Sequence, residues 1–401
     1  MRPDPARERR TRREYLKYGS LVGAAGLLSG CLGGSSSADS TATDAGEETA
    51  ADTTAPSTAA SDSAESANGG SYSVRMAPVG EVAFESVPER WVPYTGDYAD
   101  MGVALGQADG LAGIGVRARF GTHHYDGLPG VDVDAESLTQ LWQDGTGKEV
   151  FYELDADLHV VDPNFIIHRL GWSEADVEEI RENVAPFLGN TGFTRVYDWH
   201  SYRYYSLYEA FEKLAEAFDE RERYEAFAAY HDEILADVRS RLPSATPELA
   251  VLYPAGMPPE SFYPYLIGEG TQSKQWRDLG VDDALAAHGV TDAQAGGGTI
   301  DYETLLEIDP DAIAVRIQGE ITDAYFEENV VSHLESHDVA SELTAVREGR
   351  VFYGGLTYQG PIIHLFQLET AARGLYPDVF GGEELFDRQR VADIVTGDFE
   401  P

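Results

Sequence analysis

The chain has 401 residues, of which 70 are Asp or Glu and 29 Lys or Arg, giving a net charge of −41. A surface of that sign repels nucleic-acid phosphates, which sets nucleic acid aside as a partner. A single cysteine rules out an internal disulfide, and the length leaves room for two domains.

The chain opens with an Arg-rich stretch, Thr11-Arg12-Arg13-Glu14-Tyr15-Leu16-Lys17, then an apolar run from Tyr18 to Gly30 that ends at Cys31. That run is short of the ~20 residues a bilayer span needs. Twin arginines followed by Tyr-Leu-Lys resemble a Tat export signal, and Leu28-Ser29-Gly30-Cys31 resembles a lipobox. The resemblance implies an extracytoplasmic protein held on the outer face of the cell membrane by lipid on Cys31 alone. Residues 32–71 are almost wholly Gly, Ser, Ala, Thr, Asp and Glu. Such a tract cannot bury enough apolar surface to offset chain entropy, so it reads as a disordered tether. Its r.m.s. reach is roughly 35 Å, from 5–6 Å times the square root of its length.

From Tyr72 the pattern is that of a folded body. Arg90–Tyr94, Gly110–Gly115, Asp157–Val161 and Gly192–Tyr197 read as strands. Between them, Asp97–Leu105, Glu136–Trp142 and a helix N-capped by Ser173 read as helical. This alternation predicts parallel α/β packing over 72–218. The middle changes character, with helical spacing from Ser206 to Phe218 and again from Glu222 to Leu242, closed by Pro243 and Pro247. Residues 219–243 therefore read as a linker helix, roughly 30 Å long at 1.5 Å per residue. Beyond it, 244–401 form a second α/β lobe. Its strands are expected at 249–253, 312–316 and 350–353, with helices at 275–279, 283–287, 302–307, 361–373 and 384–396. The fold class is thus α/β: two Rossmann-like lobes with central parallel sheets, joined by one long helix.

Only four of the basic residues are lysines: Lys17, Lys148, Lys213 and Lys274. An acidic surface with Arg in place of Lys resembles haloarchaeal and other proteins of very salty media. There, salt screens self-repulsion while carboxylates keep the surface hydrated.

Several stretches in fixed order carry a family resemblance. They are Val87-Pro88-Glu89-Arg90, Gly113-Ile114-Gly115 after Leu105-Gly106, and Leu154–Val161. The helix Ser206–Ala215 follows, then Leu306–Ile313 and Ala345–Phe352. Together they resemble the helical-linker, type III periplasmic binding proteins of ABC importers, which capture ferric siderophores, haem and cobalamin. The resemblance spans roughly 78–395. It implies a metal chelate bound between the lobes, no resident cofactor, and a permease with its cytoplasmic ATPase as partners. A ferric siderophore is the favoured ligand, with cobalamin or haem as alternatives. Glu174, Glu178 and Glu269 are candidate docking carboxylates.

In open α/β sheets, ligands sit beyond the carboxyl ends of the strands. The loops there hold Tyr94, then Arg117, Arg119, Phe120 and His124, then Arg169, then Trp199, Tyr202 and Arg203. The second lobe adds Tyr253, Tyr263, Arg316, Gln318 and Tyr358. Aromatic rings supply rigid apolar area with a polar tip, and arginine a planar fork for anionic oxygens. In so acidic a chain they would form a local basin for a bulky anionic ligand with flat arms. Histidines interspersed with arginines disfavour a naked metal ion there. An extracellular α/β enzyme is the competing class. The chain has no Gly-x-Ser-x-Gly elbow and no Gly-x-x-x-x-Gly-Lys-[Ser/Thr] loop, so catalysis, ATP hydrolysis included, is not expected.

Overall fold

A computed structural model describes residues 71–295 and 298–399. The expected export signal, lipidation site and tether fall outside them, except for Ser71. Strands in chain order are β1 (Tyr72–Met76), β2 (Gly80–Phe84), β3 (Trp91–Pro93), β4 (Gly113–Ile114), β5 (Thr139–Gln140) and β6 (Leu158–Val160) in the first half. β7 (Glu248–Pro254), β8 (Phe262–Tyr265), β9 (Asp282–Asp283), β10 (Ala312–Val315) and β11 (Val351–Tyr353) follow.

β1 and β2 form an antiparallel hairpin, Tyr72 opposite Phe84, tied to the body by the Tyr72 hydroxyl donating to Ala217 O at 2.5 Å. The first lobe's sheet is parallel. β3 pairs with β6 and β4 with β5, and β4 joins β3 through Ala112 N→Trp91 O and Gly115 N→Tyr94 O, both 3.0 Å. β3 and β6 are buried throughout, as parallel strands covered on both faces must be.

Two sequence expectations are corrected here. Glu136–Trp142 is a turn leading into β5, not a helix. Asp134 takes Glu136 N on its side chain and the Ser137 hydroxyl on its carbonyl, and such local bonds compete with a helix. Gly192–Tyr197 is irregular, not a strand. The sheet edge it would occupy is taken by Phe187 and Leu188, which bond alongside His159. The carbonyls of Gly192 and Phe193 instead accept from Thr271 and Gln272 of the second lobe.

The helices Leu207–Phe218 and Arg221–Arg241 form where the periodicity puts them. Ser206 and Glu209 make a capping box at the first, as Ser173 and Asp176 do for Glu174–Asn183. The second sheet has the order β11-β10-β7-β8, with β9 also on β7. All pairs are parallel except β7–β8, an antiparallel edge strand the sequence did not announce because Pro264 interrupts its pattern. The last helix begins at Arg388, four residues later than expected, because Asp387 caps it.

The halves meet along the helix Pro361–Leu375, which packs on both the helix Gly96–Ala104 and the helix Lys274–Asp278. The buried Asp100 carboxylate accepts from Ile362 N, Ile363 N and the Tyr125 hydroxyl at 3.0, 2.9 and 2.7 Å, seating the helix's first turn. One apolar core runs through this junction, from Trp91 and Met101 to Ile362, Leu365 and Trp276. No helix among the described residues is long and apolar enough to cross a membrane.

Candidate functional site

The strand ends of the two sheets face one another across a wall of aromatic rings. From the first lobe come Tyr94, at the end of β3, and Phe165, whose helix starts behind the Asp162 cap. The irregular stretch after Phe187 adds Phe193, Tyr197 and Trp199. Phe165 lies 5.7 Å from Tyr94 and 6.0 Å from Phe193, and Tyr197 stacks on Trp199 at 5.0 Å. From the second lobe, Tyr358 meets Phe193 edge-on at 5.1 Å, and Tyr253 and Tyr265 stand 6.4 Å apart on β7 and β8. Tyr263 is the register partner of Tyr253 and lies on the same face of the strand pair.

Three guanidinium groups punctuate this wall. Arg119 lies against the Tyr358 hydroxyl, with Tyr253 and Tyr265 next. Burial works against its charge, and those phenols outweigh burial to raise its pKa. Arg169 sits 5.2 Å over the Tyr197 ring at the outer margin. Arg316, at the end of β10, is 1% exposed. It donates to Gln272 O and stands 5.5 Å over the Tyr265 ring, while its Nε and Nη1 have no partner. Burial pulls its pKa down to about 10. A buried, uncompensated guanidinium is costly, and an anionic oxygen is the group that would relieve it. Gln318 behaves similarly. Its Nε2 donates to Thr357 at 2.7 Å and its Oε1 is buried without a partner.

The structure thus gathers Tyr94, Arg119, Tyr253, Arg316 and Tyr358 at the junction, with Tyr263, Gln318, Arg169 and Trp199 on its margins. It does not bring in the rest. Arg117 turns away to Leu138 O at 2.9 Å and Glu136 at 3.5 Å. Arg203 pairs with Glu209 at 2.6 Å and covers Tyr205. Phe120 is core, edge-on to Tyr125. The Tyr202 hydroxyl donates to Asp162 at 2.5 Å, bracing the helix cap. His124 stacks on Phe366 at 4.9 Å, and burial drops its pKa to about 3. Phe193 was missed because its stretch read as a strand. The density of rings from 193 to 205 was its only signal.

The lobes stand close. Within the first lobe, behind the ring wall, an opening bounded by Thr95, Tyr98, Asp162, Phe165, Asn190 and Phe193 measures about 10 Å³, the space of one water. Thr271 N→Gly192 O at 3.0 Å and Gln272 N→Phe193 O at 3.2 Å join the lobes beside the Phe193–Tyr358 ring contact, so a guest between them must part both.

A family model described as periplasmic binding protein matches residues 92–356. Among solved structures, a periplasmic binding protein from Veillonella parvula has 16% identity and a TM-score of 0.56, covering 77% of this chain and 98% of its own. The iron-uptake ABC transporter substrate-binding protein PiuA from Streptococcus pneumoniae has 18% identity, a TM-score of 0.53 and coverage of 76% and 98%. The petrobactin-binding protein YclQ from Bacillus subtilis has 15% identity, a TM-score of 0.52 and coverage of 76% and 99%. At such identities the likeness is one of fold. Among curated proteins no relative matches.

Proposed function

This chain belongs to the periplasmic binding protein family, whose members are non-enzymatic transport components, and we propose that it captures a negatively charged ferric chelate between its two lobes. The observation that carries this reading is Arg316, a buried guanidinium with two idle nitrogens at the end of a sheet, facing a wall of phenol rings. Flat organic arms lie on the rings of Tyr197, Trp199 and Tyr253, and the chelate's anionic oxygens take the forks of Arg119 and Arg316. The metal arrives already wrapped by its chelator, so the chain needs no resident cofactor. Neighbours of the same fold include proteins whose names specify iron uptake and petrobactin, which agrees with a chelate as cargo.

Capture closes the lobes by as much as the ligand's differential affinity allows. The loaded protein then docks on an ABC permease, powered by a cytoplasmic ATPase. Lipid on Cys31 holds the protein at the outer face of the membrane.

The test is calorimetry and tryptophan quenching in high salt, with ferric hydroxamate, catecholate and carboxylate chelates, haem and cobalamin. One-to-one binding of an anionic ferric chelate is the expected result. Binding of cobalamin or haem alone would replace the ligand assignment, and binding of none would overturn it. Separately, Cys31→Ser should release the protein from membranes with its affinity unchanged.

A further inference from the structure

Away from the cleft, three titratable side chains converge where the helices Arg221–Arg241, Lys274–Asp278 and Pro361–Leu375 pack together. They are His231, Asp278 and His364. All three are buried, and one potential ligand atom from each lies within 4.8 Å of the others. The capture cycle makes no use of them.

The neighbours of His364 fix its tautomer. Gln359 donates through Nε2 to Thr271 O and to Gln275 Oε1, both at 2.6 Å. Its Oε1 is therefore the atom that meets His364 Nδ1 at 3.1 Å, and that nitrogen carries the proton. His364 Nε2 stands 3.1 Å from Asp278 Oδ2 without hydrogen-bond geometry. A ring whose N–H is held by an oxygen on one side, with its other nitrogen free beside a carboxylate, is oriented as metal-binding histidines are. His231 is 4% exposed and its Nε2 has no partner at all. The two rings lie 5.4 Å apart.

We propose that His231, Asp278 and His364 form a binding site for one divalent cation of the zinc class. Two imidazole nitrogens and one carboxylate suit zinc(II) or cobalt(II), whereas magnesium and calcium demand more oxygen ligands. The resident competitor is Lys274, whose Nζ sits 2.7 Å from Asp278 Oδ2, with Arg239 on Oδ1 at 3.2 Å. The ammonium now balances the carboxylate. An incoming metal takes over that role, and the Lys274 ammonium withdraws from Asp278. The metal would pin the connector helix to the helix that spans both halves.

The test titrates cobalt(II) alone into the full chain, in strong salt to suppress binding by surface carboxylates, and follows visible absorption. One equivalent should take on a tetrahedral spectrum that zinc(II) abolishes. His231→Gln and His364→Gln should each weaken uptake by about tenfold or more, and Lys274→Met should strengthen it. A wild-type spectrum that stays that of aqueous cobalt overturns the proposal. Equal uptake by wild type and the doubly substituted His231→Gln, His364→Gln chain does the same. Where the histidine variants fail to fold, Lys274→Met decides, because it keeps all three ligands. Unchanged or weaker uptake by it is fatal.

Discussion

The Arg316 guanidinium stands 5.5 Å over the Tyr265 ring with its Nε and Nη1 bonded to nothing. Stability and binding pull in opposite directions at this residue. A buried charge without a counter-ion is a liability to the empty protein, and an apolar side chain of similar length removes that liability. Arg316→Met should therefore leave the empty protein as stable as wild type or raise its Tm. It should also weaken an anionic ferric chelate by about tenfold or more, near 1.4 kcal/mol, for want of a charge-assisted bond. Thermal melts and quenching titrations on the same samples check both signs. A lower Tm with undiminished affinity would remove Arg316 from the site.

Arg119 and Arg203 make a matched pair of controls. Arg119 lies among Tyr358, Tyr253 and Tyr265 at the junction of the lobes. Arg203 is exposed and committed to Glu209 at 2.6 Å. Arg119→Gln should cost chelate affinity by more than about 1 kcal/mol, and Arg203→Ala should stay within about 0.5 kcal/mol of wild type, as exposed ion pairs do. Calorimetry on the two variants separates the cases. Equal losses would mean the cleft extends beyond the Ser206 cap.

The contrast between these arginines marks what the chain alone could disclose. Local signals were legible: the Ser173 and Ser206 caps, the buried runs of β7 and β10, and the apolar face from Leu207 to Phe218. Each depends on neighbours a few residues away, where periodicity and capping operate. The loops after β3, β4, β10 and β11, which bring Tyr94, Arg119, Arg316 and Tyr358 to the junction, were legible for the same reason, since strand ends define them. Which arginine turns inward was not. Arg117 and Arg119 are two residues apart, and only the distant Glu136 and Tyr358 send one outward and the other into the junction. The irregular 192–197 stretch was hidden likewise, because Thr271 and Phe187 settle it from elsewhere, and Pro264 concealed the edge strand β8. His231 and His364 looked like ordinary helix residues, and only packing brings them to Asp278.

Asp100 makes the junction sensitive to pH. Burial raises its pKa from 3.8 to about 7, against the pull of Tyr125, Ile363 and Ile362, which favour the charged form. The folded state thus holds a proton that the unfolded chain releases near 3.8. The stabilisation it gives is full below that value and is lost as pH rises through about 7. Between those limits, wild type should lose stability relative to Asp100→Asn by up to about 1.4 kcal/mol per pH unit. Urea midpoints of both proteins at about pH 3.5, 6 and 7.5 span the window and check the slope. Parallel curves would show that the carboxyl titrates normally.

Gly102 tests the packing that carries Tyr94 to the cleft. A Cβ on Gly102 would fall 2.2 and 2.3 Å from two atoms of the Trp91 ring. That ring is fully buried, held by Nε1 donating to Gln107 O at 2.9 Å and edge-on to Phe218 at 5.4 Å, so it has nowhere to retreat. Two effects compete in Gly102→Ala. Alanine favours the helix by about 1 kcal/mol over glycine, while overpacking a filled core costs about 1–3 kcal/mol or more. An overlap this deep against an anchored indole puts the balance on the side of destabilisation, by about 2 kcal/mol. The shift also reaches function, because Trp91 opens β3 and Tyr94 follows its last residue, so displacement of the strand moves the phenol that meets Phe165. Denaturant titration should show the lower midpoint, and the chelate affinity of the folded fraction should fall with it. A more stable alanine variant would mean that the indole and helix can separate, and that β3 does not depend on their contact.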